Sequence, residues 1–165
     1  MGTGQSMLTL MAMMMLTMLT NRVNMNILQC QDTSQNSKFA LVAVSLATSK
    51  IETASRLAFD EASANAAVTA VTSLTASTSL GKESGESTEN TFDDFDDYNN
   101  LSYRDSTLAS AMFDLKCTIG YVNAATPDVI TTSKTWNKKM LVTVTSPSMR
   151  DTIRISSVFS YWNFR

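Results

Sequence analysis

The chain has 165 residues, 44% of them apolar, a formal net charge of −2 and no histidine. That length and apolar content suit one domain, or a small domain plus an extended element, with a modest core. Without histidine the Ser-His-Asp, Cys-His and His-metal constellations are excluded, and the near-neutral charge offers no basic surface for nucleic acid or an anionic membrane.

The run from Gly4 to Thr20 reads GQSMLTLMAMMMLTMLT, and eight of the eleven methionines fall in the first 25 residues. Met7 to Thr20 would cover roughly 21 Å as a helix, short of the ~30 Å hydrocarbon core. A secretory signal peptide fits poorly as well, because no charged n-region precedes the run and no small-x-small site follows it. Leu8, Met11, Met15, Leu19, Val23, Ile27 and Cys30 recur every three to four residues, which predicts a helical stripe, and Met7 opens the same apolar assembly helix. Flexible, polarizable methionine suits lipid or irregular helix contacts, and copper ligation would ask for His or Cys beside it.

After a polar interval, QDTSQNSK, the rhythm resumes at Phe39, Ala43, Leu46, Lys50, Ala54 and Leu57. No proline precedes Pro127 and no glycine lies between Gly4 and Gly81. One helix is therefore expected from about residue 5 to about 60, with residues 5–30 as its apolar half; the alternative is a break near Asp32–Ser37. Such a helix would be on the order of 80 Å long, so its N-terminal half would need partners outside its own domain. Ala12, Thr9, Thr17 and Thr20 would let neighbouring helices approach closely.

Residues 61–91 are rich in Ala, Ser and Thr and read as an exposed loop, with a poorly patterned strand conceivable within Val68–Leu74. Ser79 and Lys82 match S-x-x-K, but no companion motif accompanies them, so the match carries no catalysis. Residues 91–105, TFDDFDDYNNLSYRD, form an acidic cluster. Asp93, Asp94, Asp96 and Asp97, with Asn99 and Asn100, are hard oxygen donors of the kind calcium prefers, although the glycine and closing glutamate of an EF-hand are missing. The competing reading is geometric: Phe92, Phe95 and Tyr98 recur every third residue, so a helical turn could dock the aromatics while the aspartates face water.

The last third is β-like. TIGYVN (118–123) is a short candidate strand. In KKMLVTVTS, Met140, Val142 and Val144 alternate with Leu141, Thr143 and Thr145. In TIRISSVFSYWNF, Ile153, Ile155, Phe159 and Tyr161 share a face, and Pro147 marks the turn between the two runs. The expected fold class is α+β, a long N-terminal helix packed by a small antiparallel sheet, with a β-rich head over 61–165. Cys30 and Cys117 match no metal or redox spacing, and patterning does not fix whether they meet.

A glycine-preceded apolar helix that continues into a small β domain resembles a type IV pilin or pseudopilin. TFDDFDDYNNL is similar to the FDD-x-DDYNG-like acidic segment of minor pilins of the mannose-sensitive haemagglutinin class. LVAVSLATSKIETASRLAFDE and TWNKKMLVTVTSPSMRDTIRISSVFSYW also resemble bacterial pilin-like proteins. The resemblance implies a leader (1–4) removed after Gly4, a mature, methylated chain starting at Gln5, residence in the inner membrane before assembly, and handling by pilus assembly machinery. It implies copies of the chain as partners in an extracellular, cell-surface filament, joined by a repeated heterologous contact. The family usually carries a glutamate at mature position five, which here is Thr9.

The expected function is thus that of a non-enzymatic structural filament subunit with no cofactor, its Ser/Thr-rich loops and the Asn100-Leu101-Ser102 acceptor facing outward for any adhesion. The alternatives are a pseudopilin or minor tip pilin of a secretion or pilus machine, and a membrane-anchored module that binds calcium or glycan through the acidic loop.

Overall fold

The computed structural model describes residues 2–164. Helix α1 runs unbroken over Thr3–Ala54, so the polar interval at Asp32–Ser37 does not interrupt it. With no proline in the segment and its only glycine in the first turn, the backbone has no local reason to leave the helix. It ends several residues before the expected position because the chain is needed elsewhere. The Ala58 amide donates to the Asp93 carbonyl at 3.2 Å and the Phe95 amide donates to the Ala58 carbonyl at 2.8 Å. This parallel bridge holds Ala58 in an extended conformation that no helix can supply.

Two compact units divide the chain, residues 1–38 and 39–165. In the first, helix α1 is apolar on consecutive positions and not along one stripe. Met7, Leu8, Leu10, Met11, Met13, Met14, Met15, Leu16, Met18 and Leu19 are all exposed. At 100° per residue such a run covers every face, so the expected stripe is better described as an apolar girdle. Continued by Val23, Met25, Ile27 and Leu28, it makes α1 long and apolar enough to cross a membrane by length and composition.

The second unit begins with the last turns of α1. Ala43, Ala47 and Ala54 are fully buried there, flanked by the half-buried Phe39, Val42, Leu46 and Ile51. Small residues on the buried line let the helix lie close to the strands. The sheet has five antiparallel strands: β1 (Ser102–Asp105), β2 (Phe113–Asn123), β3 (Thr126–Thr131), β4 (Asn137–Thr145) and β5 (Ile153–Ser160). The main path is β1-β2-β4-β5, with β3 also paired to β2. Strand β2 begins five residues before the expected TIGYVN, because Phe113, Leu115 and Cys117 alternate inward ahead of it.

Register carries the core across the sheet. Leu115, Cys117 and Ile119 of β2 stand opposite Val144, Val142 and Met140 of β4, and Val142 and Val144 stand opposite Ile155 and Ile153 of β5. One face therefore collects β-branched and sulfur-bearing side chains against α1, as the alternation in 140–145 and 153–161 requires. The same two-residue step runs back from Met140 to Lys138, which places a lysine on the inward face of β4. The link 61–101 is irregular: a short helix α2 (Glu61–Ala64) and isolated 3-10 turns replace any strand at 68–74. It brings Phe59, Val68, Leu74 and Leu80 together with Tyr121 and Tyr161 as a second buried cluster, Tyr121 lying two residues beyond Ile119 on the inward face of β2 and opposite Lys138.

Candidate functional site

The acidic segment folds into a 3-10 turn at Asp96–Tyr98. Phe92, Phe95 and Tyr98 are buried, which the three-residue recurrence anticipates, but Asp94, Asp96 and Asp97 are buried as well and do not face water. Two of them hold the turn together by reciprocal capping. The Asp94 Oδ1 accepts from the amides of Asp96 and Asp97 at 2.7 and 3.1 Å, and the Asp97 Oδ2 accepts from those of Asp93 and Asp94 at 3.1 and 3.2 Å. Short carboxylates two to four residues from the amides they cap are what a D-D-x-D-D spacing provides. Asn99 fastens the turn to its surroundings, its side chain donating to the Leu80 carbonyl and accepting from the Ile119 amide, both at 2.9 Å.

Asp96 belongs to a different constellation. Its Oδ1 accepts from the Nζ of Lys138, which also donates to Asp60 Oδ1 at 2.6 Å and to the Phe59 carbonyl at 2.8 Å. All three ammonium hydrogens are thereby used, and the lysine is wholly buried. The rings of Phe59 and Tyr121 lie 4.7 and 5.4 Å from Nζ, adding cation–π attraction in a dry setting. Asp60 does further work: its Oδ2 accepts from the Thr75 amide and hydroxyl at 3.0 and 3.1 Å and caps α2 through the Ala62 amide at 3.3 Å. The cluster thus ties the end of the helical segment, the 61–75 link, the acidic turn and strand β4 into one network.

A third group lies on the other side of the acidic turn. Glu83 lies between Gly81 and Gly85, whose φ angles of 131° and 117° suit glycine, and Glu86 follows directly, its amide donating to the Glu83 carbonyl at 3.3 Å. The Glu83 amide donates to Glu86 Oε2 at 2.9 Å. Glu83, Glu86 and Asp97 each bring a carboxylate oxygen within 4.8 Å of the other two. Among the described residues, Glu83 Oε2, Asp94 Oδ2, Asp96 Oδ2 and Asp97 Oδ1 are buried without a hydrogen-bond partner.

Burial and mutual repulsion push these acids upward. Burial, then the charges of Asp96 and Asp97, raise Asp94 to about 9. Burial raises Asp96 to about 6 against the pull of Lys138, and Asp97 also moves up for the same first reason. Glu83 is pushed up to about 8 by burial and by its contacts with Asp97 and Glu86. At Glu86 burial is the largest single influence and pulls upward, but the Glu83 amide and the hydrogen bonds with the Asp97 and Glu83 side chains together outweigh it, so that group stays below the usual carboxylate range.

The four aspartates read together in the sequence therefore do not form one site. Asp93 is exposed, Asp94 is a backbone cap, Asp96 pairs with Lys138, and Asp97 joins two glutamates from the preceding loop. Sequence reading missed Glu83, Glu86, Asp60 and Lys138. The signal for Lys138 was the alternation from Met140 backwards, whereas nothing local in 81–91 pointed to Asp97. Met7, Leu8, Met11, Met15, Leu19, Val23 and Ile27 are between 48% and 77% exposed on α1, and Gly4 and Gln5 lie in its first turn. Cys30 is exposed and Cys117 buried, both as free thiols. The long apolar N-terminal helix and the antiparallel sheet are compatible with a pilin-like fold; compared with known proteins, no family model, no curated protein and no solved structure matches the chain.

Proposed function

We propose that the chain is a structural subunit of a type IV pilus-like filament, held in a membrane before assembly and polymerising through the apolar half of α1. The observation that carries this reading is the girdle of fourteen large apolar side chains from Met7 to Leu28, each at least 48% exposed. Burying a side chain of this kind fully is worth about 1.5–3 kcal/mol, so the girdle amounts to on the order of 20 kcal/mol before ordering costs. That exceeds the roughly 5–15 kcal/mol by which a whole domain is stable. A helix apolar all round belongs in lipid or among other helices, and a bundle of identical helices supplies the second environment after a membrane has supplied the first. Helix α1 running on into residues packed against an antiparallel sheet supports the same reading, because it gives the assembly helix a soluble head.

The test is negative-stain imaging of material sheared from cells that express the chain, with N-terminal sequencing of its main band. Filaments that contain the chain and begin at Gln5 are expected. A chain that remains in the membrane with Met1 or Gly2 at its start, with no filaments, would overturn the proposal.

One observation favours a second reading, a pseudopilin or minor tip subunit. Where the resembled family carries a glutamate able to meet a neighbour's terminal ammonium, this chain has Thr9, whose hydroxyl donates to the Ser6 carbonyl of its own helix at 2.9 Å. A subunit of this kind is scarce in purified filaments, whereas a major subunit dominates them.

A further inference from the structure

We propose that Glu83, Glu86 and Asp97 bind one calcium ion, closing the 81–86 loop onto the acidic turn. Calcium takes carboxylate oxygens at about 2.3–2.6 Å, so two ligands on opposite sides of one ion lie about 5 Å apart. Three oxygens mutually within 4.8 Å all fit that sphere. Magnesium, at about 2.0–2.1 Å with strict octahedral demands, would need them drawn closer. The donors are all hard oxygens, with no thiolate or imidazole among them, which argues against the softer transition metals.

A surface cluster of acids needs no ion when water solvates it, and that explanation fails for Asp97. The residue has no exposure, and its Oδ2 is committed to two backbone amides. Its Oδ1 and the neighbouring Glu83 Oε2 are both buried without a hydrogen-bond partner among the described residues. Leaving such oxygens unpaired is costly, and a coordinated cation satisfies both together. The ion pairs of Lys138 go to Asp60 and Asp96, not to this group. Glu83 and Glu86 are partly exposed, which gives an ion a route in and leaves positions for water ligands.

The assignment differs from a reading based on the D-D-x-D-D run, because Asp94 and Asp96 are engaged as cap and ion-pair partner. It is independent of polymerisation, since every ligand lies in the second unit.

The test uses the full chain in a mild non-ionic detergent, stripped with EGTA and titrated with calcium chloride alone by calorimetry. Thermal unfolding is followed in parallel through the near-UV signal of Trp136 and Trp162. One calcium per chain is expected, with a Kd of about 10⁻⁵–10⁻³ M, together with a melting temperature several degrees higher at saturating calcium. Glu83→Gln/Glu86→Gln should weaken binding by at least about tenfold, since two of three charged ligands are lost. In EGTA the same variant should melt no lower than the wild type, because two mutually repelling acids are gone, and this separates a ligand role from a folding role. Asp128→Asn, an exposed acid paired with Lys139, should bind as the wild type does. No saturable heat up to about 10 mM calcium, undiminished binding by the double variant, or tighter binding of magnesium than of calcium would each overturn the assignment.

Discussion

Between Met7 and Leu28 the chain keeps methionines and leucines half to three-quarters exposed, whereas between Asp60 and Lys138 it keeps five charged side chains at no exposure at all. The two regions reverse the usual partition of apolar and polar groups, in opposite directions. The apolar girdle lacks a core, and its shortfall is one of surface, which lipid or sister helices can supply over many weak contacts. The charged cluster lacks countercharge. Its shortfall is local and directional, met by one lysine on one side of the acidic turn and, on our proposal, by one cation on the other. Residues that look anomalous for opposite reasons thus point to two kinds of partner, one extended and one a single ion.

The largest effect is expected where the head's countercharge is removed. Lys138→Met keeps most of the volume and the inward position on β4 but leaves Asp60 and Asp96 buried opposite nothing. Breaking a buried pair from one side costs about 3–5 kcal/mol, so urea unfolding monitored at Trp136 should shift to much lower denaturant or show no folded baseline. Lys138→Met combined with Asp60→Asn and Asp96→Asn should recover part of that loss, since the uncompensated charges are gone. Failure of the triple variant to recover any stability would show that the lysine's packing against Phe59 and Tyr121, and not its charge, is what matters.

A charge in the girdle tests the opposite region. Met15→Lys places an ammonium where the side chain is 77% exposed in the monomer, so the head should unfold as before. Insertion of a lysine at the centre of an apolar span costs about 2.5–3.5 kcal/mol. Membrane retention and filament yield should therefore fall together, with no change in the unfolding midpoint of the head. An equal drop in that midpoint would show the two regions to be energetically coupled.

A smaller effect is expected at Gly120 on β2. A Cβ there would meet the Ile130 Cγ2 of β3 at 2.7 Å, closer than real contacts allow. Because Ile130 is an exposed side chain that can yield, Gly120→Ala should cost about 1 kcal/mol, at the low end of overpacking. Ile130→Ala in the same chain should restore most of it, and the pair forms a double-mutant cycle read by urea unfolding.

How legible these regions were depended on whether the information was local. The apolar run of α1, its unbroken path and the alternation of β4 and β5 are written in successive residues, so sequence order alone exposed them, although the run was read as one stripe and is apolar on every face. The end of α1 was not, because it is set by the pairing of Ala58 with residues 93–95, more than thirty positions away. The acidic run was legible as donors but not as a site. Its four aspartates diverge once the 3-10 turn forms, and the partners of Asp96 and Asp97 come from β4 and from the loop at 83–86. Lys138 was hidden because a lysine on an alternating strand is ordinarily assigned to the wet face. Only register with Met140, Val142 and Val144 puts it inside.

The two thiols offer a comparison that perturbs neither region. Cys117 sits at the middle of β2 with no exposure, opposite Val142, and burial pushes its thiol up to about 11. The thiolate is the reacting form, so at pH 8 Cys117 should resist a maleimide or a disulfide reagent for as long as the head stays folded. Cys30 is exposed on the helix just beyond the girdle and should be modified at once in detergent-dispersed monomer. The slow phase at Cys117 then measures opening of the head, and urea should abolish the difference between the two sites. In assembled filaments Cys30 should become slow as well if neighbouring helices cover it, while Cys117 keeps the rate it has in the monomer. A Cys30 that stays fast in filaments would place the helix–helix contact nearer the girdle's methionines, and a fast Cys117 in native monomer would contradict the closed core described for β2 and β4.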